Sequence, residues 1–275
     1  MARSTSGESV LSRIVRLYEA FDPDATSVTV SELARRADLP LATASRLVSA
    51  LVEHEWLHRD SSRRVQIGVR MWELAARASP TLGLRDAAMP FMEDLHAAVG
   101  QHVQLSVRQQ HEVLYVERLS APGSVRIVNR LAGRLPLHAS SPGLVLLAHS
   151  SAELQETILT GPLPAFTPHT VTDPKVLRAK LSEVRRTGYA FCEGYIDEVS
   201  TAVAAPLYAS RGHVVAALSV LVPKNESART TIPAVLAAAH GISRALGNRS
   251  SERTCRRVTE SSAATTSHGR QQVTL

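Results

Sequence analysis

Between Thr29 and Ile67, start and stop signals follow one another so closely that only short elements fit, and this spacing constrains the fold more than any other feature. Thr29-Val30-Ser31-Glu32 has the form of a capping box, in which the Thr29 hydroxyl and the Glu32 carboxylate each satisfy a free backbone donor at a helix start. That helix is expected to end near Asp38, with Leu33, Ala34 and Ala37 turned inward. Pro40 suits the first turn of another helix, because its missing N–H would be unpaired there anyway. This helix is expected over Pro40 to His54, with Ala44, Leu47, Val48 and Leu51 in one stripe and Ala42, Arg46, Ser49 and Glu53 opposite. Thr43 and Ser45 fall on its flanks. Trp56 to Arg59 and Arg64 to Ile67, around the polar turn Asp60-Ser61-Ser62-Arg63, read as a two-stranded ribbon. A first helix over Ser9 to Phe21, burying Val10, Ile14, Leu17 and Tyr18, completes three short helices and a wing: a winged helix-turn-helix.

Val69 to Ala78 reads as a connecting helix closed by Ser79-Pro80. Beyond it, helices are expected at about 84–99, 142–159, 174–187 and 232–246, and strands at about 102–108, 112–119, 125–128, 189–193, 201–208 and 214–222. Alternation on either side of Gln109 to Glu112, and a second turn at Ser210 to His213, point to hairpins and an antiparallel sheet. The fold class is therefore α+β.

Composition narrows the function. No apolar run reaches the roughly 18–20 residues of a membrane span, and the opening MARSTSGESV lacks the apolar segment of a secretory signal, so a cytoplasmic protein is expected. Cys192 and Cys255 form neither a disulfide framework nor a CxxC metal pair. Half of the formal charge of +6 sits in residues 248–275, a tail expected to be disordered like residues 1–7. Net charge thus permits nucleic-acid binding without arguing for it.

The chemistry lies in particular side chains. A recognition helix enters the major groove with its N-terminal half, and Arg46 there can donate two hydrogen bonds to a guanine edge. Thr43, Ser45 and Ser49 offer hydroxyls to bases or phosphates, and Arg63 and Arg64 on the wing can grip backbone or minor groove. A rival reading is a zinc metallohydrolase: His54-Glu55-Trp56-Leu57-His58 matches H-E-x-x-H, which on one helix face supplies two zinc ligands and a general base. The ribbon that follows argues against it, because Trp56 and Leu57 already belong to the wing. No GxSxG or phosphate-binding GxxxxGK[ST] is present, so no catalytic residue, cofactor or metal is assigned and an enzyme is not expected.

VSELARRADLPLATASRLVSALVEHEWLHRD (30–60), EVLYVERL (112–119), GRLPLHASSPGLVLLA (133–148), Gly188-Tyr189-Ala190 and VAAPLYASRGHVVAALSVLVP (203–223) stand in an order and spacing that resemble the IclR family of bacterial transcription regulators. The resemblance implies a ligand-responsive regulator, a repressor on a palindromic DNA operator, with a C-terminal GAF-like effector-binding domain and a homodimer or tetramer joined through N-terminal domains and linker helices. It divides the chain into a DNA-binding domain (8–67), a linker helix (68–79), an effector domain (80–247) and the tail (248–275). It places the effector against Ser140, Ser141 and Pro142 and the positions of Cys192, Ala202, Ser219 and Leu221. Where some members hold small keto acids with polar side chains, this sequence has Cys192, Ala202 and Leu221. A largely apolar cavity and an effector with an aromatic or extended carbon skeleton are expected. Ala42, Glu55 and Val199 also depart from the family, standing where serine, glycine and glycine are common.

Overall fold

The computed structural model describes residues 8–22, 27–78, 80–124, 133–209 and 212–247, which divide into one compact unit up to Pro80 and another from Thr81. Both termini, the strand expected at 125–128, Ser79, Cys255 and the tip of the turn at 210–213 lie outside the described residues.

In the first unit α1 (Val10–Glu19) starts at Ser9, whose hydroxyl accepts from the Ser12 N–H. Helices α2 (Val30–Arg36) and α3 (Leu41–Glu53) follow, then strands β1 (Leu57–Arg59) and β2 (Val65–Ile67) and helix α4 (Val69–Ala78). Leu17, Leu33, Val48, Leu57 and Val65 are sealed in one core, each burial contributing about 1.5–3 kcal/mol. Val10, expected inside, is 59% exposed, because the buried stripe of α1 is carried by Leu17 with Ile14 and Tyr18 beside it. β1 and β2 pair antiparallel, and Val28 bridges the other edge of β2 by exchanging backbone hydrogen bonds with Val65 at 2.9 and 2.7 Å. The wing is thereby tied to the segment that leads into α2.

Only half of the expected capping box forms. Thr29 accepts from the Glu32 N–H at 3.2 Å, but the Glu32 carboxylate turns out to Arg35 and Arg36 at 2.6–2.9 Å. Two guanidiniums within a turn outbid one neutral N–H, since charge-assisted hydrogen bonds are roughly twice as strong.

The second unit is a six-stranded antiparallel sheet in the order β5-β4-β3-β8-β7-β6, formed by β3 (His102–Gln109), β4 (Glu112–Leu119), β5 (Arg134–Pro136), β6 (Ala190–Glu193), β7 (Ser200–Tyr208) and β8 (Val214–Pro223). α5 (Pro80–Val99) and α9 (232–247) cover one face through Met92, Leu95, Val235 and Ile242. α6 (Ser141–Ala148) and α8 (Pro174–Thr187) pack on the other. The strand residues differ between the faces: Val203, Leu207, Leu218 and Val220 meet α5 and α9, whereas Ala190, Cys192, Ala204 and Ala217 meet α6 and α8. Small side chains let α6, buried on every side, settle close to the sheet.

Three expectations change here. The helix expected at 142–159 is two, α6 and α7 (Ala152–Thr160), because Ser150 bonds back to the Leu146 carbonyl and Ser151 caps a new start. Helix α5 begins at Pro80 rather than near 84. β5, which falls outside every strand expected from the sequence, is an edge strand paired with Glu112 to Leu114.

Candidate functional site

α3 presents Ala42, Arg46, Ser49 and Glu53 to solvent, with Thr43 and Ser45 half-buried beside them. Its first turn carries no acidic residue, and Pro40 makes no side-chain cap, so the helix N-terminus opens as an undiluted positive end. Arg46 has no ion-pair partner among the described residues, so its guanidinium is free to meet an external acceptor. Arg63, exposed at φ +60, stands at the wing turn, where Asp60 holds the chain by accepting from the Ser62 and Arg64 N–H groups at 2.9 Å. Arg64 differs: its guanidinium donates to the Ser27 hydroxyl and carbonyl at 2.9 and 2.8 Å, so it braces the wing from within.

The H-E-x-x-H segment does not form the face that zinc chemistry needs. His54 ends α3, Glu55 reverses the chain at φ +62, and His58 lies in β1. The two imidazoles thus belong to different elements. Gly68 explains the tight reversal, since a Cβ there would stand 2.0 Å from the Glu55 carbonyl oxygen. A left-handed φ is strained for Glu55 and would suit glycine, the residue that the resemblance leads one to expect there.

In the second unit the structure brings Ser140, Ser141, Pro142, Cys192, Ala202, Ser219 and Leu221 to one cavity of about 50 Å³. An ordered water occupies roughly 10–15 Å³ on this scale, so the space admits several waters or one small organic molecule. Its floor is the sheet: Gln104 faces Ser219 across β3 and β8, while Cys192, Ala202 and Leu221 form a row across β6, β7 and β8. Its wall is the start of α6, where Ser140 caps the helix by accepting from the Gly143 N–H. Tyr195, Ile196 and Asp197 lie over it. Val199, exposed nearby, accepts from the Lys224 N–H through its carbonyl.

The lining is mainly apolar, but it carries polar groups beyond those of the seven expected residues. The Gln104 amide nitrogen and the Ser141 and Ser219 hydroxyls are buried without a partner. Burial pushes the hydroxyl of Tyr115, which also lines the cavity, and the Cys192 thiol well above their usual ranges. Both stay neutral near pH 7. Among the described residues no Lys, Arg or His lines the space, so the anion-binding groups they offer are neutral donors. Gln104, Tyr115, Tyr195 and Asp197 were missed in sequence. His102, Gln104 and Ser106 alternate with Val103, Leu105 and Val107 and so read as a solvent face, yet all three are at most 5% exposed, so no sequence signal marked Gln104.

Residues 10–61 match the IclR helix-turn-helix domain, and residues 77–247 match the bacterial transcriptional regulator IclR C-terminal domain. The chain is 30% identical over 221 residues to the HTH-type transcriptional repressor AllR of Escherichia coli (strain K12), covering 80% of this chain and 82% of that one. It is 29% identical over 195 residues to the HTH-type transcriptional regulator KipR of Bacillus subtilis (strain 168), covering 70% and 78%. Among solved structures, an IclR homolog from Microbacterium hydrocarbonoxydans complexed with 4-hydroxybenzoate matches at a TM-score of 0.83 and 45% identity, over 86% of this chain and 99% of that one.

Proposed function

The chain belongs to the IclR family of bacterial transcriptional regulators, and from that premise we propose that it is a repressor released from, or tightened on, its operator by a small aromatic acid. Residues 8–67 read DNA, 68–79 link and 80–247 bind the effector. Arg46 is the guanine-reading residue, Thr43, Ser45 and Ser49 support it, and Arg63 meets backbone from the wing; Arg64 keeps the wing in shape. No catalytic role is assigned.

The observation that carries the effector reading is the trio of buried, unpartnered polar atoms on Gln104, Ser141 and Ser219 around one cavity. A bound molecule carrying a carboxylate and a flat apolar body would satisfy them. The 4-hydroxybenzoate of the Microbacterium hydrocarbonoxydans homolog has that chemistry, which supports the same class here.

A homodimer, or a tetramer built from dimers, is part of this reading. Val10, Leu11 and Val15 on α1 and Val69, Trp72 and Leu74 on α4 are exposed apolar side chains, and a second copy is the partner that would bury them. A two-fold operator then follows from a two-fold protein. No described helix is long and apolar enough to cross a membrane, which suits a regulator of cytoplasmic DNA.

Selection of binding sites from genomic fragments, followed by anisotropy titration with and without 4-hydroxybenzoate, tests the whole reading. A specific palindromic site whose occupancy changes with the acid is expected. A protein with no sequence preference would overturn it. Specific binding that no aromatic acid alters would overturn the effector class alone.

A further inference from the structure

The stretch between α7 and α8 (162–172) has no regular structure, yet it holds both loops that enclose the cavity. At its start the Pro164 carbonyl accepts from His138 Nε2 at 3.0 Å, and His138 sits in the loop whose next residues, Ala139 to Pro142, form the cavity wall. Burial pushes the His138 imidazole below its ordinary pKa, so the ring is neutral and offers its one N–H to that carbonyl.

At the other end Thr170, buried, has its hydroxyl fully used. It accepts from the Phe166 and Thr167 N–H groups at 3.1 Å each and donates to the Tyr195 carbonyl at 2.6 Å. The Thr167 hydroxyl donates to the Gly194 carbonyl at 2.5 Å. Gly194 and Tyr195 open the loop that covers the cavity, and the strap lies so close that a Cβ on Gly194 would meet the His169 ring at 2.9 Å. The covering loop is closed on itself by Gly194 N–H to the Ser200 carbonyl at 2.8 Å and Ser200 N–H to the Asp197 carbonyl at 3.2 Å.

The lining reaches solvent at Leu135 and Leu221 and at Tyr195, Ile196 and Asp197, whereas Gln104, Ser141, Cys192 and Ser219 are buried. Leu135 and Leu221 are held in strands, so the part of the rim that can move aside for a ligand is the loop of Tyr195, Ile196 and Asp197. We propose that the 162–172 strap is a latch on the cavity, with Thr170 as the positioning residue that sets how fast an effector enters and leaves. This rests on the reading of the cavity as the effector site. The strap forms no part of the cavity lining, so it acts on rates through the cover rather than on affinity through contacts.

The first test needs no ligand. Amide hydrogen exchange on the full chain compares wild type, Thr170→Val, which keeps the shape and strands two N–H groups and a carbonyl, and Thr170→Ser, which keeps the hydroxyl. Exchange in 194–200 should accelerate about tenfold in Thr170→Val, as the loss of about one net hydrogen bond allows, with β7 and β8 unchanged and Thr170→Ser like wild type. Thr167→Val, which strands the His169 N–H and the Gly194 carbonyl but leaves the Thr170 hydroxyl on the Tyr195 carbonyl, should give a smaller shift in the same region. Unchanged exchange at 194–200, or equal acceleration across β7 and β8, would overturn the latch. Stopped-flow mixing with 4-hydroxybenzoate then reads rates: both should rise about tenfold in Thr170→Val while Kd moves less than about threefold, because a latch lowers the barrier in both directions. A change confined to Kd through one rate would overturn the proposal. Absence of any binding to wild type would sink the aromatic-acid class, leaving the exchange result to decide the latch.

Discussion

The outward face of α3 and the floor of the cavity both present polar side chains without protein partners, but one does so in water and the other in a closed core. On α3, water solvates Arg46, Ser49 and Thr43 when DNA is absent, so the fold gives up nothing to keep them ready. In the cavity, Gln104, Ser141 and Ser219 have lost water without gaining a partner, and each such group costs about 1–3 kcal/mol until something fills the space. The proposed DNA surface is therefore preformed without cost to stability, while the proposed effector site is held open against it.

The largest effect that separates the two sites comes from filling the cavity. Ala202→Phe adds a ring between the cross-strand neighbours Cys192 and Leu221. It should remove 4-hydroxybenzoate binding by about a hundredfold or more, as displacing a small ligand from a fitted space does, and cost about 1–3 kcal/mol of stability through overpacking. Operator binding without ligand should persist. Calorimetry and gel shift on one preparation check both halves, and retained ligand affinity would show that the site is elsewhere.

Next in size is the DNA face. Arg46→Ala should weaken operator binding by about 1–3 kcal/mol and relax one base preference. Its melting temperature should stay that of wild type. Arg64→Ala should do the reverse, lowering stability by about 1 kcal/mol through the two bonds to Ser27, with a uniform and modest effect on DNA affinity. Similar melting temperatures for the two variants would erase the distinction between a reading and a bracing arginine.

A smaller effect tests the cavity's cost directly. Ser219→Ala and Gln104→Leu each remove an unpartnered buried group, so each should raise the stability of the ligand-free protein by about 1 kcal/mol while weakening the acid about fivefold. Thermal melts with and without 4-hydroxybenzoate separate these terms. If ligand-free stability falls, the polar atoms are already satisfied and the contrast between the sites fails.

The same contrast explains what the sequence revealed. The DNA-binding unit is built from local signals, such as Thr29, Pro40 and the spacing of Ala44, Val48 and Leu51, so its elements were readable to within a few residues. The bonds of Arg64 to Ser27 were not legible because they are set by tertiary contact across the wing, and those of Glu32 because neighbouring arginines outcompeted the cap. The cavity is assembled from strands far apart in sequence. The seven expected lining residues came from resemblance rather than spacing, and alternation alone would have sent Gln104 to solvent. It is buried because α6, apolar on all sides, covers the second face of the sheet.

The smallest expected effect asks whether exposed charge near α3 is as free of folding cost as argued. Glu32 accepts from Arg35 and Arg36, and these two guanidiniums lower its carboxyl from 4.5 to about 2. A carboxyl whose folded pKa lies below its unfolded one stabilises the fold fully above about pH 4.5, and the contribution fades as pH falls toward 2. The carboxylate sits half-exposed at the surface, so water and salt screen most of this contribution. Glu32→Gln should therefore lower the melting temperature only slightly at pH 7 in low salt, less at high salt, and not at all near pH 2. Operator affinity should be unchanged, since neither arginine lies on the outward face of α3. A large loss of stability at pH 7 that resists salt would mean that Glu32 does close the cap on α2. The surface of this unit would then carry structural load in the way the cavity does.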